Sequence, residues 1–167
     1  MLTVFQLKCA RYVLGIGVRE LGSFLDVSRT KVSTLENIDI NSYLPISTEQ
    51  NNLLIRLFND KSINFPNSCS VELKSDGLFY PNNISRFQLR GARSTLRMSQ
   101  QDLSSELGIK KSTLNYLESQ DNSFLIDDSI ASFSIEQIIS FFQRKGLFLL
   151  NNYTISLKAL DSDCHKE

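Results

Sequence analysis

Cations and side-chain amides carry the chemistry that this sequence can offer. Lys110 and Lys111 head a segment whose Leu114 and Leu117 recur at helical spacing, and a lysine pair at a helix start opposes the helix dipole unless an anion lies opposite. Arg86, Arg90, Arg93 and Arg97 follow at i, i+4, i+7 and i+11, which predicts a shared stripe on one helix. Catalytic readings fall away on residue type. The only histidine, His165, lies in a polar tail beside Cys164, so no Ser/His/Asp or Cys/His constellation is available. Cys9, Cys69 and Cys164 form neither a CxxC pair nor an even framework, and neither a zinc site nor a structural disulfide is expected. Gly15-x-Gly17 with Gly22 fails the dinucleotide-binding spacing, and nothing resembles a P-loop. Asp127-Asp128 and Asp161-Ser162-Asp163 read as solvated loop and tail rather than a cation site. Phe141, Phe142, Phe148 and Tyr153 read as core or interface rather than a ligand pocket. No enzymatic activity, cofactor or metal is expected.

The elements that must position these cations occur twice. Phe5 to Glu36 aligns without a gap on Phe87 to Glu118 at an offset of 82, with 11 of 32 positions identical, most of them apolar at helical spacing. Phe5/Phe87, Gln6/Gln88, Arg11/Arg93 and Glu36/Glu118 are among them. A second block, Ile55 to Lys74 over Ile139 to Lys158, aligns at an offset of 84. The chain is therefore a tandem duplication, read as a first repeat over residues 1–76, a linker over 77–85 with Asp76-Gly77 and Pro81-Asn82-Asn83 as turn chemistry, a second repeat over 86–160 and a tail over 161–167.

Each copy reads as helices followed by a hairpin, which makes the fold class mainly α with short β-hairpins. In the second copy Phe87, Leu89, Ala92 and Leu96 give a first helix its apolar face. Ser99 caps a second, helped by Asp102, and Gly108 ends it. Lys110 to Glu118 forms a third that buries Leu114 and Leu117. Ser134 is the expected cap of a last helix over Ile135 to Lys145, stopping at Gly146. Leu147 to Leu150 and Tyr153 to Leu157 then flank Asn151-Asn152, a two-residue connection suited to a tight hairpin. The first copy follows with Ser47 opening a helix through Phe58, and with Ile63 to Phe65 and Cys69 to Leu73 around Pro66-Asn67-Ser68, where Pro66 restricts its strand to an edge.

With 167 residues, 41% hydrophobic and 22% charged, the chain is long enough and apolar enough for a buried core, which excludes disorder and collagen-like repeats. No window reaches the roughly 18 to 20 apolar residues of a membrane span, and the start MLTVFQLKCARY lacks the pattern of a secretory signal. A cytoplasmic location, nucleoid-associated, with no membrane partner, is the expectation. The formal net charge is zero, which speaks against a generic polyanion binder.

Two short helices joined by a tight turn, with a small residue inside the first (Ser104, or Gly22 in copy one), describe a helix-turn-helix. Here SQQDLSSELGIKKSTLNYLE, preceded by LRGAR, resembles the lambda-repressor and Cro type, the XRE family of bacterial and phage transcriptional regulators. The resemblance covers about 32 residues per copy and is stronger for the second. It implies a third helix in the major groove, its first side chains at base edges, and a second helix starting on phosphate. Matched residue by residue, Lys110, Lys111, Ser112 and Asn115 fall on the recognition helix: lysine suits guanine O6 and N7, asparagine suits adenine, and serine suits either. Gln100 matches the family's backbone-anchoring glutamine, with Gln101 beside it. The resemblance also pairs Arg93 with Glu118, and Arg11 with Glu36, as structural couples. Arg90 and Arg97 remain phosphate candidates, against a plain solvated face.

The first copy departs from this pattern. Gly17-Val18-Arg19 replaces Ser99-Gln100-Gln101, and the recognition positions become Ser28, Arg29, Thr30 and Ser33. Arg29 suits guanine. Copy one thus reads as a weaker reader of different specificity, the alternative being a degenerate scaffold. Single-copy relatives usually dimerise, so the hairpins or apolar helix faces are expected to pair between repeats or, as a homodimer, between chains. The resemblance implies a sequence-specific regulator on double-stranded DNA; the alternative is an interaction module that acts on RNA polymerase or another regulator. Position resolves the zero balance. Arg86 to Glu118 carries six basic residues against three acidic, and Phe5 to Glu36 five against three, so the remaining residues are acidic overall.

Overall fold

Both halves of the chain start on the same hydrogen-bonded device. In the computed structural model, which describes residues 1–75, 78–131 and 133–157, the Thr3 hydroxyl accepts from the Gln6 N–H at 3.3 Å while the Gln6 side chain accepts from the Thr3 N–H at 2.9 Å. Ser85 and Gln88 repeat the exchange at 3.2 and 3.1 Å. These caps satisfy N–H groups that a helix start leaves open, and they begin α1 (Val4–Leu14) and α5 (Arg86–Thr95). Each glutamine amide reaches further. Gln6 Nε2 donates to the Asn67 and Ser70 carbonyls, and Gln88 Nε2 to those of Leu150 and Thr154, so each first helix is tied to the hairpin of its own half.

α1 ends on Gly15 at φ 71°, and the matching residue of the second half is Arg97 at φ 58°. The expected four-arginine stripe is corrected here: α5 stops at Thr95, and Arg97 lies beyond it in left-handed backbone, a conformation that costs a non-glycine residue about 1 kcal/mol. α2 (Val18–Leu25) and α3 (Arg29–Glu36) follow in the first half, α6 (Gln100–Leu107) and α7 (Lys111–Glu118) in the second. Ser99 caps α6 with Asp102 as expected, and Gly108 ends it at φ 66°. Its counterpart Asp26 adopts the same conformation at φ 54°. α4 (Thr48–Asp60) opens on Ser47 and Gln50.

The short α8 (Asp128–Ala131) precedes α9 (Ile135–Arg144). Ser134 occupies the cap position of α9 without supplying the bond; Asp128 Oδ1 accepts from the Ile135 N–H at 2.7 Å instead, a correction to the expected cap. Asp127 likewise spends its carboxylate locally, on Ser129 and Ile130, and these bonds hold its pKa below the ordinary range.

Strands β1 (Ile63–Asn64) and β2 (Ser70–Leu73) form one hairpin, β5 (Phe148–Leu150) and β6 (Thr154–Ser156) the other. Leu150 pairs with Thr154, so the second connection has Asn151, Asn152 and Tyr153 rather than two residues. Asn151 and Asn152 hold φ 43° and 59°, a backbone that asparagine tolerates better than most side chains. The buried Asn152 amide also fastens the chain between the halves, bonding Tyr80 N–H and the Tyr80 and Asn83 carbonyls at 2.7 to 2.9 Å. A separate pair, β3 (Ile84–Ser85) with β4 (Leu125–Ile126), was not legible as strands. The Asp76-Gly77 turn, Lys158 and the tail with Asp161, Asp163, Cys164 and His165 lie outside the described residues.

The hairpins pair with each other within the chain. They form one antiparallel sheet in the order β1-β2-β6-β5, with β1 at an edge and Pro66 beyond it. Val71 faces Ile155, its own counterpart in the second half, while Ser70 faces Ser156 and Glu72 faces Thr154. Such an exchange of equivalents marks a local twofold relation. α1 and α5 meet the same way: Arg86 Nη1 bonds the Val13 carbonyl at 3.0 Å, and Lys8 Nζ reaches the Thr95 carbonyl at 3.4 Å, so the helices run antiparallel. One apolar core spans both halves, with Phe5, Phe58, Phe87 and Phe142 fully buried, and Phe141 packs edge-on against Phe142.

At the crossing, Gly91 faces its counterpart Cys9, whose thiol burial pushes up to about 12. A Cβ on Gly91 would come within 2.4 Å of Ile155 Cδ1 and 3.1 Å of Cys9 Sγ. Gly91→Leu is therefore expected to destabilise the protein by about 1 to 3 kcal/mol through overpacking, read as a lowered midpoint in denaturant unfolding. An unchanged midpoint contradicts this packing.

Candidate functional site

The third helix of each half is held by an arginine, buried in the first half and half-buried in the second. Arg93 Nε and Nη2 donate to both oxygens of Glu118 at 2.5 and 2.6 Å, and Nη1 donates to the Met98 carbonyl at 2.6 Å. One planar guanidinium thus joins α5, the turn into α6 and the end of α7. Arg11 repeats the arrangement with Glu36, with Nη2 to Oε2 at 2.8 Å and Nη1 to the Ile16 carbonyl at 2.7 Å. Burial works against the Arg11 charge, and Glu36 overrides it, leaving the pKa raised. These bidentate couples agree with the pairing that the resemblance implies.

Tight turns bring the helices together. Gly22 in α2 packs on the turn so closely that a Cβ would lie 2.8 Å from the Val27 carbonyl. Ser104 fills the equivalent place in α6 and is buried, its hydroxyl without a partner among the described residues. Leu114 and Leu117 anchor α7 inward, as Val32 and Leu35 anchor α3.

What α7 turns outward is Lys111, Ser112 and Asn115, with Lys110 just before it. Neither α7 nor α3 has an acidic residue in its first turn. Lys110 is the cap residue of α7 and supplies no side-chain bond, whereas Ser28 caps α3 through the Lys31 N–H at 3.1 Å. Ser28 therefore spends its hydroxyl within the protein. Arg29 and Thr30 are exposed and Ser33 is half-buried.

The remaining candidates separate. Gln100 Nε2 donates to Glu118 Oε2 at 3.1 Å, and Gln101 Nε2 lies 3.3 Å from the Ser105 hydroxyl, so both amides have internal partners. Arg97 is exposed and reaches across to the first half, bonding the Glu36 carbonyl and Asn37 Oδ1, each at 3.0 Å. Half-buried Arg90 lies beside Gly15 of the first half, 3.7 Å from where its Cβ would be. Arg86 is buried, its Nε on the Glu118 carbonyl at 3.0 Å.

Two side chains at this face were not singled out by sequence. Tyr116 is 54% exposed on α7, one turn beyond Ser112, and an aromatic between the buried Leu114 and Leu117 is the signal that marks it. Lys8 lies between the halves with only 4% of its surface exposed; its match to Arg90 in the repeat was the available signal. Among the described residues no His, Cys, Asp and Glu group could hold a metal ion, and no helix is long and apolar enough to cross a membrane.

No protein-family model, curated protein or solved structure matches the chain.

The couples yield a stability test. Arg93→Met leaves the buried Glu118 carboxylate unpaired, Glu118→Leu leaves the half-buried Arg93 guanidinium so, and each is expected to cost about 3 kcal/mol. The double variant is expected to recover most of that loss in chemical denaturation. A double variant as unstable as the summed singles contradicts this account.

Proposed function

We propose that the protein is a sequence-specific double-stranded DNA-binding regulator, with two fused lambda-repressor-like helix-turn-helix repeats in which α7 and α3 are the major-groove readers. The observation that carries this reading is the start of α7. Lys110 and Lys111 stand exposed at a helix start that has neither a side-chain cap nor an acidic residue in its first turn. Protein interiors and surfaces ordinarily place negative charge there, so the arrangement is favourable only when an anion approaches. Ser112 and Asn115 stand beside the lysines with hydrogen-bonding groups suited to base edges.

The first half supports a second reader of different character. Arg29 replaces Lys111 and makes no hydrogen bond or ion pair among the described residues. Gly17 and Val18 give α2 none of the polar side chains that Ser99 and Gln100 give α6. Because the two halves close on each other about a local twofold relation, as single-copy relatives do by dimerising, one chain offers two unlike readers. The preferred site is then asymmetric rather than palindromic.

Selection of DNA from a random pool, followed by sequencing, tests the reading. The wild type is expected to enrich a two-part motif. Lys110→Ala/Lys111→Ala is expected to lose the second-half part, at about 1 to 3 kcal/mol per lost base contact. Arg29→Ala is expected to blur the other part. If no motif is enriched and affinity is indifferent to salt, the DNA reading is lost and a module that docks on RNA polymerase or another regulator takes its place. If Arg29→Ala changes neither affinity nor preference, the first half is a scaffold.

A further inference from the structure

Between α3 of the first half and the α5–α6 turn of the second lies a cavity of about 590 Å3 that belongs to neither half alone. Lys8, Arg29 and Arg97 line it together with the Arg11 and Arg93 guanidiniums, and Glu36 is the carboxylate on its wall. Arg11 is neutralised by Glu36, and Arg93 by Glu118. Three cations are left over. Arg29 has no partner among the described residues, and Arg97 holds its place through two neutral oxygens.

Lys8 is the telling group. It is almost completely buried, yet its ammonium has one long bond, 3.4 Å to the Thr95 carbonyl, where three donors are available. Burial pushes its pKa down, Arg97 and Arg11 push in the same direction, and Glu36 opposes them. A buried, under-bonded cation beside other cations is costly, and an anion in the cavity would relieve it.

We propose that this inter-half cavity is a phosphate-ester site, with Lys8, Arg29 and Arg97 as its cationic donors and Ser33 and Ser99 as neutral ones. The pairing of two uncompensated guanidiniums with an ammonium suits tetrahedral oxygens. The cavity exceeds one phosphate, leaving room for what the phosphate is attached to. That attachment is either a nucleic-acid backbone lying across the two readers, which rests on the function proposed above, or a free phosphomonoester, which does not. The role of Lys8 and the composite of both halves set this site apart from the phosphate role that the sequence gave Arg90 and Arg97.

Two measurements decide it. In the first, thermal unfolding is followed in inorganic phosphate, in AMP and in sodium chloride at matched ionic strength. A free phosphomonoester site is expected to raise the wild-type Tm by a few degrees over chloride, and to lose that rise in Lys8→Met and Arg97→Ala. In the second, affinity for the selected DNA is measured against salt. A backbone phosphate is expected to lower the slope of log K on log salt by about 0.9 in each variant, with binding weakened alike across sequences. Lys8→Met is also expected to raise the Tm in chloride, because it removes the under-bonded charge. Arg97 is exposed, so Arg97→Ala keeps the test decisive should the Lys8 variant fold poorly. If phosphate and AMP leave the Tm at its chloride value, and the salt slope is the same in wild type and variants, the site is refuted while the DNA reading stands. If the wild type selects no DNA, the phosphate arm decides alone, and its failure refutes the site.

Discussion

The antiparallel closure of one half on the other is the constraint from which the rest of the structure follows. Val71 opposite Ile155 and Cys9 opposite Gly91 lie where each half meets its own counterpart. The contact has the geometry of a homodimer interface, made once and within a single chain. Its two sides are no longer alike: a thiol on one helix fits the bare backbone of glycine on the other, so the fit belongs to the pair and not to either half. The edges of β2 and β6 that a single repeat would leave open are consumed by each other, leaving β1 and β5 as outer strands.

Closure also determines where charge ends up. α1 lies against α5, and this buries Lys8 and brings Arg97 over the end of α3. The Arg11–Glu36 and Arg93–Glu118 couples hold both third helices at a fixed angle to the interface, so rigidity at the centre is passed outward to the proposed readers. The zero net charge ceases to be an objection once its distribution is seen. Lysines stand exposed at α7, Arg29 at the start of α3, and Lys8 and Arg97 between the halves, while the acidic excess lies elsewhere. Such a surface favours a few placed contacts over general attraction to polyanions.

Much of this was legible in the sequence because it depends on local spacing. The helices follow the apolar periodicity, Ser47 and Ser99 announce their caps, and Gly108 its stop. The repeated Arg and Glu became a couple through the resemblance of the segment around them. The features that escaped depend on partners far along the chain. Lys8 reads as an exposed cation until α5 covers it, and nothing near it in sequence says so. Arg97 reads as helical because only its counterpart, Gly15, reveals the left-handed backbone required at that place. Asp128 rather than Ser134 caps α9 because the loop folds back seven residues. Gln6 and Gln88, identical in both copies, were visible as a repeat while their bonds to the hairpins were not.

The central claim is that one chain carries two unlike readers held in fixed relation. Hydroxyl-radical footprinting of a selected DNA site, at one protein chain per duplex as verified by mass, tests it most directly. The account predicts two protected patches about 10 base pairs apart, unlike in sequence, both present at that stoichiometry. A single short patch, or two patches that appear only when a second chain binds, would contradict it.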